Sequence, residues 1–262
     1  MAGKDNIERR ILTRPLPVTH PVTHPVTHPV KRRRREPLVA WRALRRLIKD
    51  PERTEEVFVV VRSLSGDALE RGYARLIAVP ARREWLERSL LTVLSDRARL
   101  RDLPAGSLGR AYLDFVERES LDADGLVQAS EEGGIAIEDA GLRRYAERTR
   151  DMHDIWHVLT GYERDPFGEV CLLAFTYAQT RNLGIGVIAL VGTLKIMSFL
   201  GWSVFRAAWQ GWRAGCRAAW LPGEDWEALL REPLEDVRAR LTIASPTAYL
   251  ALRSPKLAGA TG

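Results

Sequence analysis

The chain has 262 residues, 45% of them hydrophobic and 28% charged, with a formal net charge of +6. This is a globular composition, long enough for one large domain or two small ones, and it excludes a wholly disordered polymer. The charge sits at one end: residues 1–36 carry nine Lys/Arg against three Asp/Glu, and the remainder holds 31 of each, so no nucleic-acid-binding domain is expected.

Residues 16–30 contain P-V-T-H in tandem, followed by Lys31 and the run Arg32–Arg35. Proline at every fourth position removes backbone donors and excludes a helix. Residues 1–36 therefore read as a disordered basic tail. His20, His24 and His28 within it are read as passive low-complexity residues. Asp5, Glu8 and the proline repeat argue against a mitochondrial transit peptide, and no apolar secretory run is present.

From Pro37 the periodicity turns helical. Trp41, Leu44, Leu47 and Ile48 recur at helical spacing. Thr54 with Glu55 and Glu56 opens a second helix despite the β-branched run Val57–Val61. Helices are expected over 66–78 and 81–95. Ser107 starts another, with Leu108, Tyr112, Phe115 and Val116 on one face. Residues 122–134 are acidic and glycine-rich and read as a loop. Their D-A-D-G resembles a calcium loop but has Gly133 where the twelfth-position Glu belongs, and it is set aside. Strand-type alternation is nearly absent. The expected fold is all-α: a single multi-helix domain over residues 37–255 and a flexible C-terminus at 256–262. Cys171 and Cys216 lie in apolar helical stretches without C-x-x-C spacing, so neither a disulfide framework nor a thiolate zinc site is expected, and a reducing compartment fits.

The chemistry concentrates at H-D-I-W-H, residues 153–157, inside an expected long helix over 138–160 that Gly161 would cap. At 100° per residue His153, Asp154 and His157 share one face, and two imidazoles one turn apart can hold a single metal ion. After the break at Gly161, Pro166 and Gly168, a helix is expected to begin near Glu169, eleven residues beyond His157. A turn could fold this carboxylate back over the first helix. Outside the tail, His153 and His157 are the chain's only histidines.

R-x-R-D-x-H-D-I-W-H-V-L-T-G-Y at 148–162, G-E at 168–169, A-Q at 178–179 and P-L-E-D-V-R-A-R-L at 233–241 resemble the Coq-four family of ubiquinone (coenzyme Q) biosynthesis over most of residues 37–255. The resemblance implies that His153, Asp154, His157 and Glu169 are the ligands of one divalent metal. Zinc comes first, with iron, cobalt or manganese as alternatives. It further implies an all-helical, lipid-binding enzyme, a lyase acting on a polyprenylated head group derived from 4-hydroxybenzoate, whose ring carboxylate it replaces by hydroxyl. The alternative is a non-catalytic scaffold with a structural metal. Expected partners are the quinone-precursor lipid, other ubiquinone-biosynthesis enzymes and a membrane surface, with homo-oligomerisation left open and no nucleic acid. The expected location is cytoplasmic and peripheral on the inner membrane in a bacterium, or the matrix side of the mitochondrial inner membrane in a eukaryote. Four protein ligands would close a tetrahedral site, and Asp154, pointing about 100° from His153, is expected to be the loosest.

Residues 183–200 are strongly apolar but interrupted by Lys195 and read as a buried or interfacial helix. On the helix from Trp202, the residues Phe205, Trp209, Trp212, Cys216 and Trp220 form one stripe, with Arg206, Arg213 and Arg217 beside it. Ala207, Gly211, Ala214, Gly215 and Ala218 lie opposite. The stripe reads either as core, with the arginines reaching out to solvent, or as a lipid interface. From the residues alone core is favoured, and the family's lipid substrate brings the two readings level.

Overall fold

The computed structural model describes residues 34–50, 53–119 and 137–258. Among these residues no strand forms, and only one isolated bridge pairs Ser107 with Pro233. The expected tail at 1–36, apart from its last three residues, and the acidic loop lie outside the described residues.

The helices run in chain order as α1 (Pro37–Lys49), α2 (Thr54–Ser65), α3 (Ala68–Ile77), α4 (Pro80–Arg83), α5 (Leu90–Ser95), α6 (Arg97–Arg101) and α7 (Leu108–Arg118). They continue as α8 (Ala140–Asp151), α9 (His153–Thr160), α10 (Pro166–Thr180), α11 (Leu183–Leu200) and α12 (Ser203–Arg217). The last three are α13 (Trp226–Leu229), α14 (Leu234–Arg240) and α15 (Thr247–Ala258). Ser107 caps α7 by accepting from the Arg110 N–H at 3.2 Å, and Leu108, Tyr112, Phe115 and Val116 are buried, as their spacing predicts.

Two expected helices are broken. The stretch 81–95 divides into α4, a 3-10 turn at Glu84–Glu87 and α5. Ser89 adopts extended backbone, and its hydroxyl caps the next helix at Thr92, a competition typical of serine. The stretch 138–160 breaks at Met152, whose ψ of −3° departs from the helical value near −42°. The helical ladder resumes with the Trp156 N–H donating to the Met152 carbonyl. Met152 is fully buried, so its side chain is committed to the core where the chain changes direction.

α10 lies at the centre, packed between α11 and α12. The small face of α12 makes this approach close: a Cβ on Gly211 would stand 2.6 Å from the Cys171 carbonyl oxygen, inside van der Waals contact. Val204, Ala207, Ala208, Gly211 and Gly215 are buried. Trp202, Trp209 and Cys216 of the stripe consequently face outward, which corrects the core reading for them, while Phe205 and Trp212 are half-buried, Trp212 against Val170, Ala174 and Ala208. Trp202 is 65% exposed and Trp209 49%; Trp202 stacks on Phe205 with centroids 4.8 Å apart, and Trp209 lies tilted against Trp212 at 4.6 Å. Trp220 leaves the stripe, because the helix ends at Ala218 in extended backbone, and its ring packs beneath the guanidinium of Arg75 at 4.2 Å. Alongside, α11 is long and apolar enough to cross a bilayer by length and composition, and it exposes Leu190, Leu194 and Phe199.

α8 is fastened to α13 by a buried ion pair. Arg148 donates from Nη1 and Nη2 to the two carboxylate oxygens of Glu227 at 2.8 and 2.7 Å, with side chains only 3% and 10% exposed. Burial pushes the Glu227 carboxyl up, but the hydrogen bonds and charge of Arg148 outweigh it and hold it below the usual range.

Candidate metal centre

α9 carries His153, Asp154 and His157 on one face, and one donor atom from each falls within 4.8 Å of the others. Gly161 ends α9 in left-handed backbone (φ 74°), as its expected cap role requires. The chain then turns through Tyr162–Asp165 into α10. Asp165 caps that helix, its Oδ1 accepting from the Phe167 and Gly168 N–H groups at 3.1 and 3.0 Å. Gly168 is required here, since a Cβ would lie 2.0 Å from the Glu163 carbonyl oxygen. Glu169 follows in the first turn of α10, three residues beyond its start.

The turn brings Glu169 over α9. Its Oε1 lies 3.3 Å from His157 Nε2 and its Oε2 3.8 Å from His153 Nε2. All four residues singled out by the motif therefore converge, with Asp154 differently engaged. The Asp154 Oδ1 lies 3.1 Å from His153 Nδ1, leaving His153 Nε2 turned toward Glu169. A carboxylate on the far nitrogen is the usual way a ligating imidazole is oriented.

His157 is wholly buried, stacked on Phe115 with centroids 5.6 Å apart. Its Nδ1 lies 2.9 Å from the Tyr162 carbonyl oxygen. A carbonyl only accepts, so Nδ1 carries a proton and Nε2 is the ring atom turned toward Glu169. That Nε2 is buried with no hydrogen-bond partner and faces a carboxylate oxygen. A buried imidazole nitrogen facing a carboxylate oxygen is satisfied either by a proton on Nε2 or by a cation held between them, and with a second imidazole and a second carboxylate alongside the donor set fits a divalent metal.

Electrostatics agree with a site built around charge. Burial pulls the His153 imidazole down, but the Asp154 hydrogen bond and the charges of Glu169 and Asp154 outweigh it and raise its pKa overall. Burial pushes Glu169 up, yet its contact with His157, the charge of His153 and that of Arg164 leave it below the ordinary carboxylate range. Asp154 is likewise lowered against its burial, chiefly by His153. Three contributors escaped the reading of the sequence: the Tyr162 carbonyl, the Phe115 ring as a stacking partner, and Arg164, whose Nε stands 3.7 Å from Glu169 Oε1.

The family model described as "Coenzyme Q (ubiquinone) biosynthesis protein Coq4" matches residues 25–247. The chain is similar to the mitochondrial ubiquinone biosynthesis protein COQ4 of Podospora anserina, 31% identical over 56% of this chain and 47% of that protein. It is similar also to the protein of that name from Scheffersomyces stipitis, 26% identical over 75% of this chain and 61% of that one. It thus spans roughly half to three fifths of the length of these curated relatives. The crystal structure of a Nostoc punctiforme PCC 73102 chain, described as a ubiquinone biosynthesis protein, superposes with a TM-score of 0.59. At 20% identity it covers 80% of this chain and 100% of that one, and it supports the fold.

Proposed function

The chain belongs to the coenzyme Q (ubiquinone) biosynthesis protein Coq4 family, and we propose that it removes the ring carboxylate from a polyprenylated 4-hydroxybenzoate-derived head group, leaving hydroxyl in its place. The observation that carries this reading is the buried, unpartnered Nε2 of His157 facing Glu169 across 3.3 Å, beside a second imidazole. His153, His157 and Glu169 would hold a divalent ion, with Asp154 orienting His153. Three protein ligands leave a position open for a substrate, as catalytic rather than structural sites require. A divalent ion there supplies Lewis acidity, and iron, cobalt or manganese would add redox capacity that zinc lacks. The overall change breaks the ring–carboxylate bond, releases carbon dioxide and forms a ring–oxygen bond. It is a two-electron oxidation and needs an external acceptor such as dioxygen.

A lipid substrate also fits the outward aromatic ridge of α12 and the exposed leucines of α11. Residues 170–223 contain no Asp or Glu, so the helices that form this apolar surface carry only basic charges of their own, as docking on an anionic bilayer favours. Working positions are the cytoplasmic face of a bacterial inner membrane or the matrix side of a mitochondrial one, the latter in keeping with the mitochondrial names of its relatives. A second reading, favoured by the same ridge, is a lipid-binding scaffold that gathers other ubiquinone-biosynthesis enzymes around a structural metal.

The test replaces Glu169 by Ala. We expect untagged wild-type protein to contain about one equivalent of metal by mass spectrometry. The variant should lose it, and cells relying on the variant should accumulate carboxylated quinone precursors. Loss of metal without such accumulation would reject catalysis in favour of the scaffold.

A further inference from the structure

The turn between the two ligand helices contains one cation and two other acids, Glu163 and Asp165, and those acids are engaged elsewhere. Glu163 pairs with Arg118 at 2.7 Å and with Arg253 at 3.4 Å. Asp165 caps α10 and accepts the Tyr249 hydroxyl at 2.5 Å. Arg164 is left with Glu169 alone, and at 3.7 Å this contact is too long for a hydrogen bond. Its Nε is buried with no acceptor, while the side chain as a whole is about one third exposed, so the guanidinium is reachable from outside. Nothing in the metal-ligand set uses it.

The charge balance shows what it suits. Two neutral imidazoles, the carboxylates of Asp154 and Glu169 and one divalent ion sum to zero. Arg164 raises the total to +1, which a single carboxylate would neutralise and a phosphate dianion would overshoot. A guanidinium also presents a planar fork of donors matched to a carboxylate. We propose that Arg164 is a substrate-anchoring residue that binds the carboxylate of an aryl acid beside the metal centre. The identity of the acid rests on the decarboxylation reading above, but carboxylate binding at Arg164 can be tested without turnover.

The experiment uses the full chain loaded with cobalt(II), whose visible spectrum reports its surroundings, titrated with 4-hydroxybenzoate to millimolar concentration and, separately, with inorganic phosphate. We expect a saturable spectral change in wild type with 4-hydroxybenzoate and a weaker response to phosphate. Arg164→Gln should retain one equivalent of cobalt while weakening 4-hydroxybenzoate binding at least about tenfold, the scale of a lost charge-assisted contact. Arg164→Lys, which keeps the charge but not the fork, should fall between, and circular dichroism should show both variants folded. The proposal is overturned if 4-hydroxybenzoate leaves the wild-type spectrum unchanged, binds Arg164→Gln as well as wild type, or is matched by phosphate. It is overturned too if Arg164→Gln loses the metal, which would make Arg164 a support for Glu169. Arginine-dependent binding without decarboxylation would instead reject the reaction and keep the anchor.

Discussion

Replacing Arg148 by Met tests what holds α8, and through it the ligand helix α9, in place. Arg148 and Glu227 meet through two short hydrogen bonds, 2.8 and 2.7 Å, with almost no solvent access. Methionine fills similar volume but leaves the Glu227 carboxylate buried and uncompensated, which costs about 3–5 kcal/mol. With a urea m-value of about 2–3 kcal/mol/M for a domain of this size, the unfolding midpoint at pH 7.5 should fall by about 1–2.5 M. The double variant Arg148→Met/Glu227→Leu removes both charges and should recover most of the loss, since apolar replacement of a whole buried pair is often neutral. The pH dependence has a fixed sign. In wild type the Glu227 carboxyl is held below its unfolded value by Arg148, so its contribution is present above that value and lost as pH falls through the folded one. In the single variant burial alone acts and pushes the carboxyl up, so acidification neutralises it and relieves the penalty. The stability gap between the two proteins should therefore narrow from pH 7.5 to pH 4.5. A single variant as stable as the double, or a gap that does not narrow, would refute the reasoning.

Asp154→Ala should weaken metal affinity about 10–100-fold with stoichiometry kept at saturation, the size of an orienting contact; complete loss in a metal titration, matching Glu169→Ala, would make Asp154 a direct ligand. Of the two thiols, exposed Cys216 should react promptly with a disulfide reagent, while Cys171, buried and with its thiol pushed up, should react only on unfolding. Two equivalents released from native protein would contradict that. In flotation with phosphatidylglycerol-containing vesicles, wild type should rise and Trp202→Ala/Trp209→Ala should not, with metal content equal in both. A double variant that floats like wild type removes the ridge from membrane binding.

The convergence of the candidate ligands was legible because i, i+4 spacing on a helix is a local property: His153 and His157 needed nothing but the helical repeat to share a face. Glu169 was readable at one remove, through the glycine and proline that force the chain back. Tyr162 was not, because its contribution is a backbone carbonyl that no side-chain pattern records, and Arg164 is one arginine among 35. The α12 stripe was left open between core and lipid interface for a different reason. Periodicity separates the faces of a helix without saying which is inward, and here the inward face is the one with small residues, since close backbone contact with α10 outweighs the larger aromatic surface. The breaks at Ser89 and Met152 were missed because neither residue is a strong helix breaker: a serine hydroxyl capping the following helix, and a buried methionine holding the corner, decide them.

The hydrogen bond from His157 Nδ1 to the Tyr162 carbonyl ties a candidate ligand to the turn that joins α9 and α10. The ring cannot flip or exchange tautomers unless that turn opens. If Nε2 holds an ion, as proposed, its departure would not be helped by ordinary rotamer hopping of the ring. Ion exchange at the proposed centre would then keep the tempo of local unfolding, with residence time following the stability of one short stretch of backbone from Gly161 to Asp165.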